Sequence, residues 1–389
     1  MNFPNHDARP PQPPRSPQPP RSPQPPRSLR SPQAPQPPLP PLADILERAH
    51  VASLPMAVKF RGLRHREVVL IDGPAGWGEF APFADYSARE TAPWLRSGLE
   101  AAYQGFPAAH RDYIEVNATV PAVEPAQVPE VLSRMPGARC VKVKVAEPGK
   151  DFRDALADDI ARVSAVREEF SGVPGTRIRV DANGAWSVEQ AVEAVSALAP
   201  LDYVEQPCAT PEELAEVRTQ LMRRGIFVRV AADESIRRVE DPYRVADLQA
   251  ADVAVVKVAP LGGVRRVLQL SADLRARHMD VTIASALDSA VGINAGLAAV
   301  ASLPKLNDDE DIDVAPAPAG LATGSLFIED VAAPRSLVDG MLATAPVVPD
   351  ADRLAALAAD GATRDWWLDR LRAAYAELQA HRAQENGES

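Results

Sequence analysis

From residue 113 onward the chain repeats one pattern seven times: a short β-branched run, then a stretch with helical periodicity. The runs are YIEVNATV, ARCVKVKVA, RIRVDAN, DYVEQP, FVRVAADE, DVAVVKVAP and DVTIASAL, and the spacers include DALADDIARVSAVREEF and SVEQAVEAVSALA. Strands alternating with amphipathic helices bury both faces of a parallel sheet, and a long uninterrupted series of such steps predicts a closed barrel. The expected fold class is therefore α/β, a modified (β/α)7β TIM barrel, over residues 113–330.

Residues 42–112 read differently. A short helical ADILERA is followed by strand-like MAVKF, REVVLID and GWGEF and then by a helix beginning near Ser87, where Ser87 and Glu90 have capping-box spacing. This predicts a small α+β capping domain. Residues 331–389 return to helical patterns, DRLAALAA and RDWWLDRLRAAYAELQAH, and predict a C-terminal helical segment packed on the capping domain or barrel, with Trp366 and Trp367 as packing residues. Residues 1–41 repeat PQPPRS three times and then decay into PQPPLPP, a composition that cannot build a core and predicts a disordered, basic, proline-rich tail. Such a tail is also a candidate ligand for a proline-binding module.

A formal net charge of -11 argues against nucleic acid or an anionic membrane as partner, and no apolar run is long enough to cross a bilayer. Cys140 and Cys208 show no metal-ligand spacing and suit reduced thiols in the cytoplasm. A small-molecule carboxylate is the expected partner.

Taking the polar residue near the C-terminal end of each strand gives Lys144, Asp181, Glu205, Asp233, Lys257 and Ser285, separated by steps of 37, 24, 28, 24 and 28 residues. Each step is one βα unit, so these residues converge on the barrel mouth, where active sites of this fold lie. Three carboxylates gathered there resist ionisation unless a cation sits among them, so Asp181, Glu205 and Asp233 predict a divalent metal. Hard oxygen donors favour Mg²⁺, with Mn²⁺ as a substitute, over Zn²⁺. The chain has only six lysines among its 42 basic residues, and three of them, Lys142, Lys144 and Lys257, fall in strand-like runs. An amine can lose its proton where a guanidinium cannot, so lysines on the second and sixth strands, crowded by each other and by a metal, are suited to general acid/base work on a proton next to a carboxylate. Strand alternation puts Lys142 and Arg179 on the same inward face as the site, where they hold substrate carboxylates or neutralise the acids. A Schiff-base aldolase barrel would use one such lysine without a metal, and the three acids speak against it. A scaffold with a working proline-rich tail would leave all of these residues unexplained.

These motifs, KVK at 142–144, VDAN at 180–183, VEQP at 204–207, ADES at 232–235 and VVKVAPLGG at 255–263, resemble those of the enolase superfamily, in its muconate-lactonizing subgroup. The resemblance spans about residues 43–335. It implies a capping domain over the barrel, Mg²⁺ on Asp181, Glu205 and Asp233, and acid/base roles for Lys144 and Lys257, the general pattern of this superfamily. GWGEFAPFADY at 76–86, RVDANGAW at 179–186 and ASALDSAVG at 284–292 are similar to the dehydrating branch of the subgroup. That branch converts 2-succinyl-6-hydroxy-2,4-cyclohexadiene-1-carboxylate to o-succinylbenzoate in menaquinone biosynthesis, which implies a hydro-lyase. In it Lys144 would take the ring proton and help the hydroxyl leave, Lys257 would offset charge on the ring, a loop around Glu79 and Phe80 would close over the substrate, and Ser285 would contact a substrate carboxylate. The alternative from the same two-lysine site is an N-succinylamino acid racemase or dipeptide epimerase. The acidic run at 307–313 departs from the family pattern and puts the barrel wall near Gly320 in question.

Overall fold

A computed structural model describes residues 37–60, 63–237, 242–304 and 315–387. The repeats of the N-terminal tail and the acidic run 307–313 lie outside these residues. Strands β1 (Ala49–Phe60), β2 (Leu63–Gly73) and β3 (Gly76–Phe80) form an antiparallel sheet in that order. The helix Ala88–Tyr103 packs on it, and its N-terminus carries the expected capping box between Ser87 and Glu90. Gly78 and Gly98 let strand and helix touch: a Cβ on Gly78 would stand 1.9 Å from the Gly98 carbonyl oxygen.

Strands β4 (Tyr113–Glu115), β5 (Asn117–Val120), β6 (Cys140–Lys144), β7 (Arg177–Asp181), β8 (Tyr203–Glu205), β9 (Arg229–Ala232), β10 (Val253–Val256) and β11 (Asp280–Ile283) follow, and β12 (Met341–Ala343) comes last. β5 to β11 make a seven-stranded parallel sheet in sequential order, with helices between successive strands. The wall near Gly320 is intact. Ala319 bridges Val116 in parallel and Gly320 bridges Ala284, through bonds such as Asn117 N to Ala319 O at 2.9 Å and Gly320 N to Ile283 O at 2.8 Å. A two-residue strand thus closes β11 onto β5. Gly320 fits because an added Cβ would lie 3.1 Å from Ala284 Cβ.

The apolar residues divide into a wall core between strands and helices, including Val141, Val180, Val204 and Val230, and a small axial core of Tyr203, Ala231, Val253, Val255 and Ala284. A third core joins Phe80, Trp94 and Leu95 of the cap to Trp367, Leu371 and Leu378 of the last helix and to Ala286, Leu287 and Val291 beyond β11. Burying side chains of this size contributes roughly 1.5–3 kcal/mol each. Cap, barrel loop and C-terminal helix are therefore one packed unit around residues 284–291.

Three details differ from the sequence reading. The segment 331–389 is not wholly helical, since β12 pairs antiparallel with β4 beneath the barrel. Of the two tryptophans Trp367 is buried, while Trp366 is 47% exposed. Pro37 and Pro40, assigned to the tail, lie on the last helix: Arg382 donates to the Pro37 carbonyl and the Tyr375 hydroxyl donates to the Pro40 carbonyl at 2.9 Å.

Candidate active site

Six strand ends form a cup. Lys144, Asp181 and Glu205 are the last residues of β6, β7 and β8 and are adjacent in register, Asp233 and Lys257 directly follow β9 and β10, and Ser285 stands two residues beyond β11. Glu205 pairs with Ala231, so Asp233 stands two residues further along the chain, and alternation sends Lys144, Asp181, Glu205, Asp233 and Lys257 alike to the axis. Above them is a cavity of about 300 Å³, lined among others by Phe83, Thr119, Lys142, Lys144, Asp181, Asn183, Asp233, Glu234, Lys257, Ser285 and Thr323.

Each acid is met by a lysine. Lys144 Nζ lies 2.6 Å from Asp181 Oδ2 and donates to Asn183 Oδ1 at 2.8 Å. Lys142 Nζ bonds both Glu205 oxygens, at 3.0 and 3.2 Å, and reaches Asp181 Oδ2 at 3.3 Å. Lys257 donates to both oxygens of Asp233. Burial alone would weaken the Lys142 ammonium, but the Glu205 and Asp181 charges outweigh it and hold its pKa well above the ordinary lysine value. With its Nζ on Glu205 and Asp181, Lys142 is placed to neutralise the acids, and it also lines the cavity. Burial raises the Asp181 carboxyl, and the charges of Lys144 and Lys142 overcome this and hold it far below the carboxylate range. Glu205 is pushed up to about 7 by burial and by Asp181, with Lys142 opposing and Asp233 adding to the rise.

Among the described residues no group of three or more His, Cys, Asp and Glu side chains is arranged to hold a metal ion, and the lysines take the carboxylate oxygens instead. The donor set nevertheless suits a hard divalent cation: three buried carboxylates on consecutive strands, with no cysteine or histidine among the residues lining the cavity.

Three sequence expectations need correction. Arg179 faces inward but sits one layer below the cup, fully buried, with Nε on Asp202 Oδ2 at 2.9 Å, Nη1 on the Pro318 carbonyl at 2.8 Å and its guanidinium 4.5 Å from the centre of the Tyr203 ring. It holds the barrel floor and does not contact the cavity. Glu79 and Phe80 belong to β3, not to a closing loop, and neither lines the cavity. Phe80 packs edge-on against Trp367, and Glu79 accepts from the Ser289 backbone N–H at 3.2 Å and from its hydroxyl. Ser285 does line the cavity, with Oγ accepting from the backbone N–H groups of Leu287 and Asp288 at 3.0 and 3.1 Å and from the Thr323 hydroxyl at 3.2 Å.

Sequence reasoning missed Asn183, Glu234, Gln206 and Phe83. Asn183 bridges Lys144 and Glu234, its Nδ2 lying 3.4 Å from Glu234 Oε1. Gln206 is wholly buried, and its Oε1 accepts from the backbone N–H groups of Asp233 and Ser235 at 3.0 and 3.1 Å, which fixes the turn carrying Asp233. Both residues take positive φ, 48° and 39°, immediately beyond a strand end, a sparsely populated conformation that marks functional turns. Their place in VDAN and VEQP was the available signal.

Comparison with known proteins agrees with this geometry. A family model described as enolase C-terminal domain-like matches residues 127–347, and one described as enolase N-terminal domain-like matches residues 51–102. The chain belongs to the enolase superfamily. Within the superfamily it is 56% identical over 338 residues to a Mycolicibacterium smegmatis protein named o-succinylbenzoate synthase, covering 86% of this chain and 97% of that protein. A Mycobacterium tuberculosis protein of the same name is 53% identical over 340 residues, covering 87% and 96%. The superfamily fold is shared with muconate lactonizing enzyme from Pseudomonas fluorescens, at TM-score 0.64 and 23% identity over 80% of this chain and 98% of that one. N-succinyl Arg/Lys racemase from Bacillus cereus gives a TM-score of 0.62 at 16% identity, over 80% and 97%. No helix among the described residues is long and apolar enough to cross a membrane.

Proposed function

We propose that the protein is a hydro-lyase of menaquinone biosynthesis that dehydrates 2-succinyl-6-hydroxy-2,4-cyclohexadiene-1-carboxylate to o-succinylbenzoate. The observation that carries this reading is the pair of lysines, Lys144 and Lys257, flanking three carboxylates in one cup, in a chain more than half identical to proteins named for this activity. Racemisation of N-succinylamino acids and dipeptide epimerisation are not favoured, because the named racemase shares the fold at only 16% identity.

Asp181, Glu205 and Asp233 would hold Mg²⁺, with Mn²⁺ as a substitute. The three lysines already balance these acids, so a substrate bringing two more carboxylates makes the cup strongly negative unless a cation enters with it. Bound there, the cation supplies electrostatic stabilisation to the carboxylate whose charge grows as the ring proton leaves.

In the forward reaction Lys144 Nζ, as the free amine, takes the proton from ring C1, and the electron pair remains on the ring and its carboxylate. The C6–O bond then breaks as Lys144 returns the proton to the departing hydroxyl, so one water leaves and the ring becomes aromatic. Asn183 orients the amine, Lys257 offsets the transient negative charge from the other side, and Lys142 offsets the charge of Asp181 and Glu205. Ser285 and Thr323 hold the far wall. Cytoplasmic placement follows from the pathway and is consistent with two buried free cysteines.

The test is to mix purified protein with the cyclohexadiene and Mg²⁺ and follow aromatisation in the ultraviolet. Rapid, chelator-sensitive formation of o-succinylbenzoate is expected. No turnover with Mg²⁺ or Mn²⁺ refutes the reading.

A further inference from the structure

Between β3 and the helix Ala88–Tyr103 runs a strap, residues 81–86, whose Phe83 ring forms part of the cavity wall although it is 94% covered. Two guanidinium groups from distant parts of the chain hold its backbone. Arg66, in β2 and almost fully buried, donates to the Ala81 carbonyl, to the Pro82 carbonyl at 3.5 Å and, across the cap–barrel junction, to the Leu287 carbonyl at 3.1 Å. Its guanidinium lies 4.7 Å from the centre of the Phe83 ring. Arg370, on the last helix, donates to the carbonyls of Phe83, Ala84 and Tyr86 at 2.6, 3.1 and 2.9 Å, and lies over the Trp366 and Trp367 rings.

We propose that Arg66 and Arg370 are positioning residues that fix this strap, so that Phe83 presents a rigid wall to the substrate ring and sets substrate affinity. The inference rests on the function proposed above. A flat five-donor fork spreads its donors over three nitrogens and reaches carbonyls set apart from one another, whereas a lysine ammonium brings its three donors to a single point. Five strap carbonyls end on these two side chains. The C-terminal helix thereby reaches the site without touching it, since the strap carries its effect to Phe83. A wall held this way is set before substrate arrives, and preorganisation of that kind appears in binding rather than in the chemical step.

The experiment compares Arg370→Ala, Arg66→Lys, Phe83→Leu and the double variant Arg370→Ala/Phe83→Leu in the full chain. Arg370 is partly exposed, so its variant keeps the fold testable if Arg66→Lys does not fold. Arg370→Ala is expected to raise KM for the cyclohexadiene, and the Kd of o-succinylbenzoate by calorimetry, about tenfold with kcat little changed, the scale set by losing charged hydrogen bonds. The double variant is expected to be no worse than Phe83→Leu alone. A lower Tm with unchanged KM and Kd, or additive effects in the double variant, overturns the inference. Should the wild type itself neither turn over the diene nor bind o-succinylbenzoate, the functional reading fails and with it the effect on affinity, and the positioning role is judged by amide hydrogen exchange: faster exchange across residues 81–86 in Arg370→Ala sustains it, and unchanged exchange refutes it.

Discussion

Glu79 is a buried acid whose ionisation the fold opposes. Its carboxyl is pushed up to about 8 by burial and by the Asp288 charge, with the Ser289 hydroxyl and Arg66 opposing. An unfolded glutamate titrates near 4.3, so between those values the unfolded chain has lost a proton that the folded chain keeps. A group whose folded pKa is raised in this way and whose favoured form is neutral loses stability as pH rises, at up to about 1.4 kcal/mol per pH unit. Between pH 5 and 7 the loss from this residue is on the order of 2 to 3 kcal/mol. Glu79→Gln keeps an acceptor for Ser289 and does not titrate. Burial also raises Asp288 and Asp330, but both are present in either protein and largely cancel. Urea unfolding of wild type and Glu79→Gln at pH 5, 6 and 7 should therefore show the variant gaining on the order of 2 to 3 kcal/mol relative to wild type across the range. A difference constant within about 0.5 kcal/mol would mean that Glu79 is ionised in the fold, and the reasoning fails.

Two further outcomes separate site from scaffold. Asp233→Asn should raise the Mg²⁺ concentration needed for half-maximal turnover by an order of magnitude or more; an unchanged titration removes Asp233 from the metal site. Arg179→Met should cost about 1–3 kcal/mol in unfolding experiments, because it removes one of the two guanidinium partners of Asp202 and leaves the Pro318 carbonyl without its donor, while KM of the folded protein stays at the wild-type value. A raised KM with unchanged stability would return Arg179 to the substrate.

The strand-end constellation was legible because one βα unit fixes the spacing and alternation fixes the face, so Lys144, Asp181, Glu205, Asp233 and Lys257 needed no distance information. Alternation gives the direction of a side chain but not its depth. Arg179 does face the axis, yet the layer it occupies is decided by Asp202 and by the Pro318 carbonyl, 139 residues away. GWGEF reads as a strand and forms β3, but nothing local in GWGEFAPFADY tells which aromatic reaches the cavity; it is Phe83, three positions beyond Phe80. The closing strand at Ala319 and Gly320 is too short to show any period, and only its pairing with Val116 and Ala284 reveals it. The pairing of β4 with β12 and the grip of Arg370 on the strap are likewise long-range contacts, invisible to any local window.

The central claim is that Lys144 moves the proton, and single-turnover aromatisation by Lys144→Ala with saturating Mg²⁺ tests it most directly. Its side chain is one of the more accessible of the cup, 24% exposed, so truncation should leave the fold and the three carboxylates in place. The account predicts a rate at least about 10³-fold below wild type, with Mg²⁺ binding retained. A variant within about tenfold of wild type would show that the proton leaves by another route.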